Sequence, residues 1–343
     1  MISSKVSIVV LNWNGRDDTL ECLESLRSVD YPYCEVIVVD NGSADGSVGA
    51  IAARFPEVKL IETGENLGYA GGNNAGINYV LGGDAEFLLL LNNDTKVDPE
   101  LVSRLVSAAR DYPDAAFLSP KIYFYSEPTK IWFAGGKWVE EKARFFHLGY
   151  GVSDATNQFN TIADVDYVCG CALFARTSVI RQIGLLDERF FLVFEDVDWC
   201  YRARKAGYRS LFVPDAFLWH KASSSFGGST SPVISYFHSR NRLLWGRKHL
   251  SAGGFVTLCA AMYSELIPDF RFPAFATDSK LRVWYAKKVY WAFAQWLAAI
   301  WKQIEAVRRE LASAHMKGSL YGVRDFALGR FGSPRANMLQ RIK

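Results

Sequence analysis

The sequence predicts an α/β protein built on a doubly wound parallel sheet, followed by a mainly helical C-terminal part. Up to about residue 122, apolar or β-branched runs alternate with segments of helical period, which is the pattern of successive strand and helix units. Beyond Pro232 the pattern is mainly helical. With 343 residues, the chain has room for one large α/β unit and an extension, or for two domains.

Four strands are predicted in the first part of the chain. Val6 to Asn12 is a β-branched run, and Glu35 to Asp40 and Val58 to Glu62 are the next two strands. Glu86 to Asn92 is almost wholly apolar, as expected for a strand covered on both faces of a parallel sheet. Ligands bind at the carboxyl ends of such strands, so the polar residues there are candidate site residues.

Helical spacing and turn residues define the other elements. Leucines recur within residues 20–26 at near-helical spacing, which predicts a helix after the first strand. Gly68 to Gly76 is rich in glycine and asparagine and predicts a loop that leads into a short helix. Tyr123 to Gly151 loses the helical period and predicts twisted strands and loops. Asp196 to Ala206 predicts a short helix, and Ser210 to His220 an extended run.

Composition and charge exclude several classes of protein. The net charge of +3 arises from 39 basic and 36 acidic residues, which is too small to indicate a nucleic-acid partner. The six cysteines lack paired C-x-x-C spacing, and the N-terminus does not read as a signal peptide. No apolar run reaches the roughly 20 residues that span a bilayer. We therefore expect a cytoplasmic protein that is soluble or peripheral to the membrane.

The C-terminal region is basic and rich in tryptophan. Lys and Arg predominate over carboxylates from Lys280 to Lys343, among Trp284, Trp291, Trp296 and Trp301. This pattern is typical of an amphipathic segment at the inner membrane surface. It is equally typical of helices that pack on the catalytic domain or in a homodimer interface.

A carboxylate follows the apolar strand at the expected ligand-binding edge. Asn92, Asn93 and Asp94 come directly after that strand. A divalent cation held by one or two carboxylates and by phosphate oxygens neutralises a diphosphate leaving group. Asp94 is therefore a candidate metal ligand, and the two asparagines can bond ribose or bound water. The alternative is that Asn-Asn-Asp-Thr is only a turn.

Two other strands also end in polar residues. Asp40 can accept hydrogen bonds from a pyrimidine ring or from ribose hydroxyls, or it can simply support the turn that follows. His220 ends the later extended run beside Trp219. A neutral imidazole there can bind a transition metal or a phosphate, although a lone histidine is more often structural.

Three carboxylates, Glu195, Asp196 and Asp198, lie at the start of a predicted helix. The helix N-terminus favours ionised carboxylates, so a base there would be deprotonated near neutral pH. Asp198 is spaced (i, i+4) from Arg202 and is expected to pair with it. Glu195 is a candidate cap, which leaves Asp196 to face another surface. The alternative is that the whole cluster only caps the helix.

A basic stretch that includes Arg240 follows a Ser/Gly-rich loop at 221–231. Such side chains can clamp a diphosphate when a loop closes. The alternative is a solvated helix face.

In chain order, these motifs resemble the family 2 glycosyltransferases with the GT-A fold, especially their bacterial rhamnosyltransferase-like branch. The resemblance covers about residues 5–245 and depends on six ordered motifs. These are Val6 to Gly15, Val38 to Ser43, Glu65 to Asn74, Leu91 to Asp94, Phe194 to Asp198 and Tyr236 to Asn241.

The resemblance implies a GT-A fold, which is a Rossmann-like doubly wound mixed sheet. It further implies a glycosyltransferase domain at 1–245, with a nucleotide-binding half at 1–122, an acceptor-binding half at 123–245 and a helical extension at 246–343. Asn12, Asp40, Asn66, Asn74 and Asn93 would bind the nucleotide, and Gly71 and Arg240 would contact sugar or diphosphate.

By the same resemblance, Asp94 and His220 would bind Mg²⁺ or Mn²⁺, and Asp196 would be the catalytic base of an inverting transfer. Asparagine replaces the first carboxylate of the family's Asp-x-Asp motif, at Asn92. The expected donor is dTDP-L-rhamnose or a UDP-hexose, and the expected acceptor is a cell-surface polysaccharide or a lipid-linked glycan. An oxidoreductase lacks support because no G-x-G-x-x-G follows the first strand. A catalytically inactive sugar-binding protein of the same fold is the other alternative.

Overall fold

Four parallel strands form the half of the sheet that comes first in the chain. The elements are β1 (Val6–Asn12), α1 (Arg16–Leu26), β2 (Cys34–Asp40), α2 (Ser47–Arg54), β3 (Lys59–Glu62), α3 (Gly68–Leu81) and β4 (Phe87–Asn92). The strands lie in the order β4, β1, β2, β3. The sequence predicts α1 and a short helix before β4, whereas α2 was not predicted. The core strands are buried because helices cover the sheet, which explains the apolar run in β4.

The second half of the sheet makes it mixed, whereas the residues alone predict a parallel sheet. The elements after β4 are β5 (Thr95–Val97), α4 (Leu101–Asp111), β6 (Ala115–Phe124), β7 (Ile131–Phe133), β8 (Gly136–Val139), β9 (Arg144–His147), β10 (Ala163–Val165), β11 (Ala172–Arg176), α5 (Thr177–Ile183), α6 (Glu195–Lys205) and β12 (Arg209–His220). Of these strands, β8 and β9 form a separate two-stranded sheet. In the main sheet, β11 runs antiparallel to both of its neighbours, β4 and β6. Its reversal brings the segment before Ala172 to the carboxyl end of β4.

The computed structural model describes residues 4–222, 231–266 and 314–334. The chain divides into two compact units. One comprises Met1–Trp138 and Phe145–Ser225, and the other comprises Val139–Arg144 and Phe226–Lys343. The expected boundary at residue 245 falls within a helix of the second unit.

The glycine-rich segment from Gly68 to Gly76 is helical, which corrects the prediction of a loop. It forms the first turns of α3. A Cβ at Gly72 would lie 2.5 Å from Leu11 Cδ1, and one at Gly76 would lie 2.6 Å from Val9 Cγ1. The glycines therefore allow α3 to pack closely on β1, and this tertiary contact outweighs their poor helix propensity.

The described residues of the second unit are mainly helical, as expected for the C-terminal part. Its helices are α7 (Pro232–His249), α8 (Ala252–Leu266) and α9 (Ala314–Ala327). Ser231 caps α7 by accepting a hydrogen bond from the Val233 amide, with proline in the first turn. The tryptophans of the predicted membrane-surface segment, residues 284–301, lie outside the described residues. Among the helices that are described, none is long and apolar enough to cross a membrane.

Candidate active site

The carboxyl ends of β1 and β2 bring Asn12 and Asp40 together. The two residues are direct partners in the parallel register. Asn12 Nδ2 donates to Asp40 Oδ2 at 2.8 Å, and the Ser43 amide donates to Asp40 Oδ1 at 2.9 Å. Both side chains are buried. Asn12 therefore fixes the orientation of the Asp40 carboxylate, and direct contact of either residue with a nucleotide remains a prediction.

Asn93 joins this cluster from the turn after β4. Its Nδ2 donates to Thr19 Oγ1 at 2.9 Å and lies 3.2 Å from Asn12 Oδ1. Thr19 Oγ1 in turn donates to Asn12 Oδ1 at 2.9 Å. Thr19 was not predicted as a site residue, although its position one helical turn before Cys22 and Leu23, on the buried face of α1, could have indicated it.

Asn66 holds the first turn of α3. Its Oδ1 accepts a hydrogen bond from the Gly68 amide at 2.8 Å and another from Asn41 Nδ2 at 3.2 Å. Asn41 Nδ2 also donates to the Gly68 carbonyl at 3.0 Å. Because Asn41 follows Asp40 directly, this turn is connected to the end of β2.

Asn74 and Gly71 lie within α3 and face the loop before α6. Asn74 Nδ2 donates to the Leu186 carbonyl and to Glu188 Oε1, both at 2.9 Å, while its Oδ1 accepts from the Leu186 amide. A Cβ at Gly71 would lie 3.8 Å from Glu188 Cδ. Asn74 therefore holds this loop through both ends of its amide, and contact of Asn74 or Gly71 with a substrate remains a prediction.

Asp94 and His220 meet at the end of the sheet. Asp94 Oδ1 lies 3.1 Å from His220 Nε2, and both side chains are at most 10% exposed. Pairing of β12 with β5 sets this contact, since His220 lies opposite Thr95. The imidazole packs edge-to-face against Trp132, with ring centroids 4.6 Å apart. Two residues 126 positions apart, expected to share a metal ion, are thus neighbours.

The chemistry of this pair fits a divalent cation that is also bound by phosphate. Carboxylate oxygen suits Mg²⁺ and Mn²⁺, and imidazole suits transition metals. In the described ranges, no group of three or more His, Cys, Asp or Glu side chains could hold a metal ion by itself. Asp94 and His220 would therefore need donor diphosphate oxygens or water to complete a coordination shell.

The carboxylates at the start of α6 have three different environments. Asp196 Oδ2 accepts from the Gly170 amide at 2.9 Å, and its Oδ1 accepts from the Val197 amide at 2.7 Å. Asp198 pairs with Arg202 at 2.8 Å, as the (i, i+4) spacing predicts. Glu195 is not the cap, because it is already the first helical residue and is preceded by Phe194 in the left-handed region.

The adjacent acids Glu195 and Asp196 differ in how their charge is stabilised. Glu195 is buried, and its Oε2 has no hydrogen-bond partner. Burial raises the pKa of Glu195 well above its usual range, and the neighbouring Asp196 charge raises it further. Burial also raises the pKa of Asp196, but hydrogen bonds from the Gly170 and Val197 amides oppose this rise. Of the two, Asp196 is the better placed to hold the negative charge.

Asp196, the candidate base, is linked by hydrogen bonds to the strand end that leads into Asp94, a candidate metal ligand. The Asn92 amide at the end of β4 donates to the Cys171 carbonyl at 2.9 Å. Gly170, the next residue back along the chain, donates to Asp196. The segment before β11 therefore links Asp196 to the strand that leads into Asp94.

Arg240 lies in the second unit, in α7, and is buried. Its Nη1 donates to the Gly332 carbonyl at 2.9 Å and its Nε donates to Asn241 Oδ1 at 2.9 Å. The guanidinium thus supports the described helices of this unit. Its contact with sugar or diphosphate remains a prediction.

Comparison with known proteins identifies the family. The profile of Glycosyl transferase family 2 matches residues 7–182, which is just over half of the chain. The chain belongs to this family. The matched region contains the ends of β1, β2 and β4, but it stops before α6 and His220.

Relatives of this family 2 glycosyltransferase include named rhamnosyltransferases. An N-acetylglucosaminyl-diphospho-decaprenol L-rhamnosyltransferase of Mycobacterium tuberculosis is 29% identical over 233 residues, covering 62% of this chain and 75% of its own. The dTDP-rhamnosyl transferase RfbF of Shigella flexneri is 24% identical over 262 residues, covering 72% of this chain and 82% of its own.

Solved structures of glycosyltransferases share the fold. A mannosyltransferase of Pyrobaculum calidifontis in complex with GDP-Man and Mn²⁺ has a TM-score of 0.54 at 15% identity, covering 96% of this chain and 89% of its own. GalNAc-T7 with UDP, GalNAc and Mn²⁺ has a TM-score of 0.59 at 14% identity, covering 81% of this chain and 53% of its own. The expected GT-A fold with a helical C-terminal part is confirmed.

The Asp198 and Arg202 pair is expected to stabilise the fold of this glycosyltransferase. Asp198 is fully buried, and Arg202 also donates to the Leu185 carbonyl. We predict that Asp198→Asn lowers the free energy of unfolding by about 3 kcal/mol, because it removes one partner of a buried ion pair. Urea unfolding measures this change. Asp17→Asn, in an exposed pair with Arg16, is the control and should change it by less than about 0.5 kcal/mol; equal effects of the two substitutions would contradict the assignment.

Proposed function

We propose that the protein is an inverting, metal-dependent glycosyltransferase that transfers L-rhamnose from dTDP-L-rhamnose to a hydroxyl of a lipid-linked glycan or a cell-surface polysaccharide. The observation that supports the chemistry best is a hydrogen-bonded connection between two segments. One is the carboxyl end of β4, which leads into Asp94 and so to its neighbour His220. The other is the segment before β11, which bonds both the end of β4 and Asp196. The names of two relatives support the donor and, for one of them, the lipid-linked acceptor.

Each polar group has a separate task in this proposal. Asp40, held by Asn12 and Ser43, accepts hydrogen bonds from the base or ribose of the donor. Asp94 and His220 would hold Mg²⁺ or Mn²⁺, which when bound neutralises charge on the departing diphosphate. Asp196 removes the proton of the acceptor hydroxyl as that oxygen forms a bond to the anomeric carbon. The bond from this carbon to the diphosphate oxygen breaks on the opposite face, so the configuration inverts.

The environment of Asp196 suits a general base. A base works best when its pKa is close to the operating pH, and burial raises the pKa of Asp196 toward that range. The two backbone N–H groups still favour the ionised form, which the reaction requires. Because a base must be ionised, we expect kcat to fall as pH decreases through the raised pKa of Asp196.

A panel of donors tests the proposed function. Melting temperatures are compared with dTDP-L-rhamnose, UDP-hexoses and no nucleotide, each with Mn²⁺, with Mg²⁺ or with EDTA. A ligand at 100 times its dissociation constant stabilises the fold by about 2.7 kcal/mol. We expect dTDP-L-rhamnose to stabilise the protein most, and only with metal. Preferential stabilisation by a UDP-hexose would favour the alternative donor, while binding without transfer or hydrolysis of any donor would favour an inactive sugar-binding protein.

We also propose that the enzyme works in the cytoplasm. The six cysteines are free thiols, which suits a reducing compartment. Contact with the inner membrane surface or with a second copy remains a prediction from the sequence of residues 280–302. Flotation of the full-length protein with anionic lipid vesicles tests membrane binding, and light scattering tests dimerisation.

A further inference from the structure

The first turn of α3 reaches the segment that bonds Asp196. Tyr69 Oη donates to the Gly170 carbonyl at 2.5 Å, although the two residues are 101 positions apart. The amide of the same glycine donates to Asp196 Oδ2 at 2.9 Å. Gly170 is therefore held by Tyr69 on one side and holds Asp196 on the other.

The close approach of Tyr69 requires a glycine at position 170. A Cβ at Gly170 would lie 2.6 Å from Tyr69 Oη and 3.0 Å from its Cζ. Since such contacts are essentially never seen for real Cβ atoms, any side chain at this position would displace the ring. Burial and the nearby Glu195 and Asp196 carboxylates raise the pKa of Tyr69 well above its usual range, so its hydroxyl remains a hydrogen-bond donor.

The loop before α6 also contacts this turn. Phe191, Val193 and Phe194 have φ values of 63°, 68° and 79°, in the left-handed region that costs non-glycine residues on the order of 1–3 kcal/mol each. The Ala70 amide donates to the Phe191 carbonyl at 3.2 Å. The surrounding structure thus holds the residues before Asp196 in a strained conformation, and the α3 turn is part of that structure.

We propose that Tyr69 is a positioning residue for Asp196, acting by fixing the Gly170 segment so that its N–H stays directed at the carboxylate. The inference deepens the proposed function and rests on it, because it assigns Tyr69 to the positioning of the proposed base. Tyr69 acts through Gly170 and needs no contact with substrate.

Loss of the Tyr69 hydroxyl is expected to change the titration of Asp196. The Gly170 N–H opposes the effect of burial on the pKa of Asp196. Weakening this hydrogen bond destabilises the charged form, so the pKa rises and a higher pH is needed to ionise the base. Within the described part of the chain, the titratable or charged groups that interact electrostatically with Glu195 and Asp196 include Tyr69, Tyr167, Cys169, Asp198 and Cys200.

Tyr69→Phe is the first test, because it removes only the hydroxyl. We expect the acid limb of the pH profile of kcat to move to higher pH by roughly one unit. A shift of this size is equivalent to about half or more of the free energy that a hydrogen bond to a charged group contributes. The ¹³C carboxyl signal of Asp196, assigned by its loss in Asp196→Asn, should titrate with the same shift. Tyr79→Phe is the control, since Tyr79 is exposed and its hydroxyl bonds Glu35 at the other end of α3; its profile should match wild type.

Gly170→Ala and the double variant sharpen the test. If Tyr69 acts through Gly170, the shift in Tyr69→Phe/Gly170→Ala will be smaller than the sum of the two single shifts. Additive shifts, or an unchanged pH profile and carboxyl titration in a folded Tyr69→Phe protein, would overturn the proposal. The carboxyl titration needs no turnover, so it tests Tyr69 even if the wild-type protein transfers no sugar and the proposed function fails.

Discussion

Asp94→Ala is expected to lower turnover by at least roughly 100-fold and to abolish metal-dependent nucleotide binding. Charge stabilisation by a metal is worth several kcal/mol in a transition state, and about 1.4 kcal/mol changes a rate tenfold. The Asp94 carboxylate lies 3.1 Å from His220 Nε2 at the end of β12. Without this carboxylate, His220 would be the one member of the pair left to bind the metal. Steady-state kinetics and calorimetric titration with donor and Mn²⁺ measure the two effects.

The stability of Asp94→Ala and the metal dependence of the wild-type protein must also be measured. Asp84→Ala is the matched control, because the Asp84 side chain is 81% exposed in a pair with Lys5; kcat should remain at the wild-type value. Asp94→Ala should remain folded, and its melting temperature without donor or metal is compared with that of the wild type. Full activity of the wild-type protein in excess EDTA would remove the metal from the mechanism.

The strand ends were predictable because the signals are local. Apolar and β-branched runs mark β1, β2 and β4, and polar residues end each of them. In a parallel sheet these ends share an edge, so the contact of Asn12 with Asp40 follows from the fold class. The Asp198 and Arg202 pair followed equally from helical spacing.

The features that were missed depend on contacts distant in sequence. The helical state of Gly68 to Gly76 depends on close packing against β1, which no local propensity reveals. An apolar run such as Ala172–Arg176 does not indicate strand direction, so the antiparallel β11 could not be predicted from it. The contact of Tyr69 with Gly170 requires both α3 and β11 to be in place.

The largest effect on the chemical step is expected from Asp196→Asn. An alcohol is a weak nucleophile at neutral pH, and a positioned base typically contributes 10²–10⁴-fold. We therefore expect kcat to fall by at least about 100-fold, while the dissociation constant of the donor remains near the wild-type value. The asparagine keeps one oxygen for the Gly170 or Val197 amide, so the fold should be retained. Single-turnover kinetics with saturating acceptor measure the chemical step.

The neighbouring acids decide whether this effect is specific to Asp196. Glu195 is buried with an unpartnered Oε2 and a strongly raised pKa, so we expect it to be protonated, and the neutral amide of Glu195→Gln should preserve kcat within about tenfold. Asp198→Asn should lower stability, because Asp198 is engaged by Arg202. Two backbone N–H groups stabilise the Asp196 carboxylate as the anion. Wild-type kcat in Asp196→Asn, together with its loss in Glu195→Gln or in folded Asp198→Asn, would assign the base to another member of the cluster.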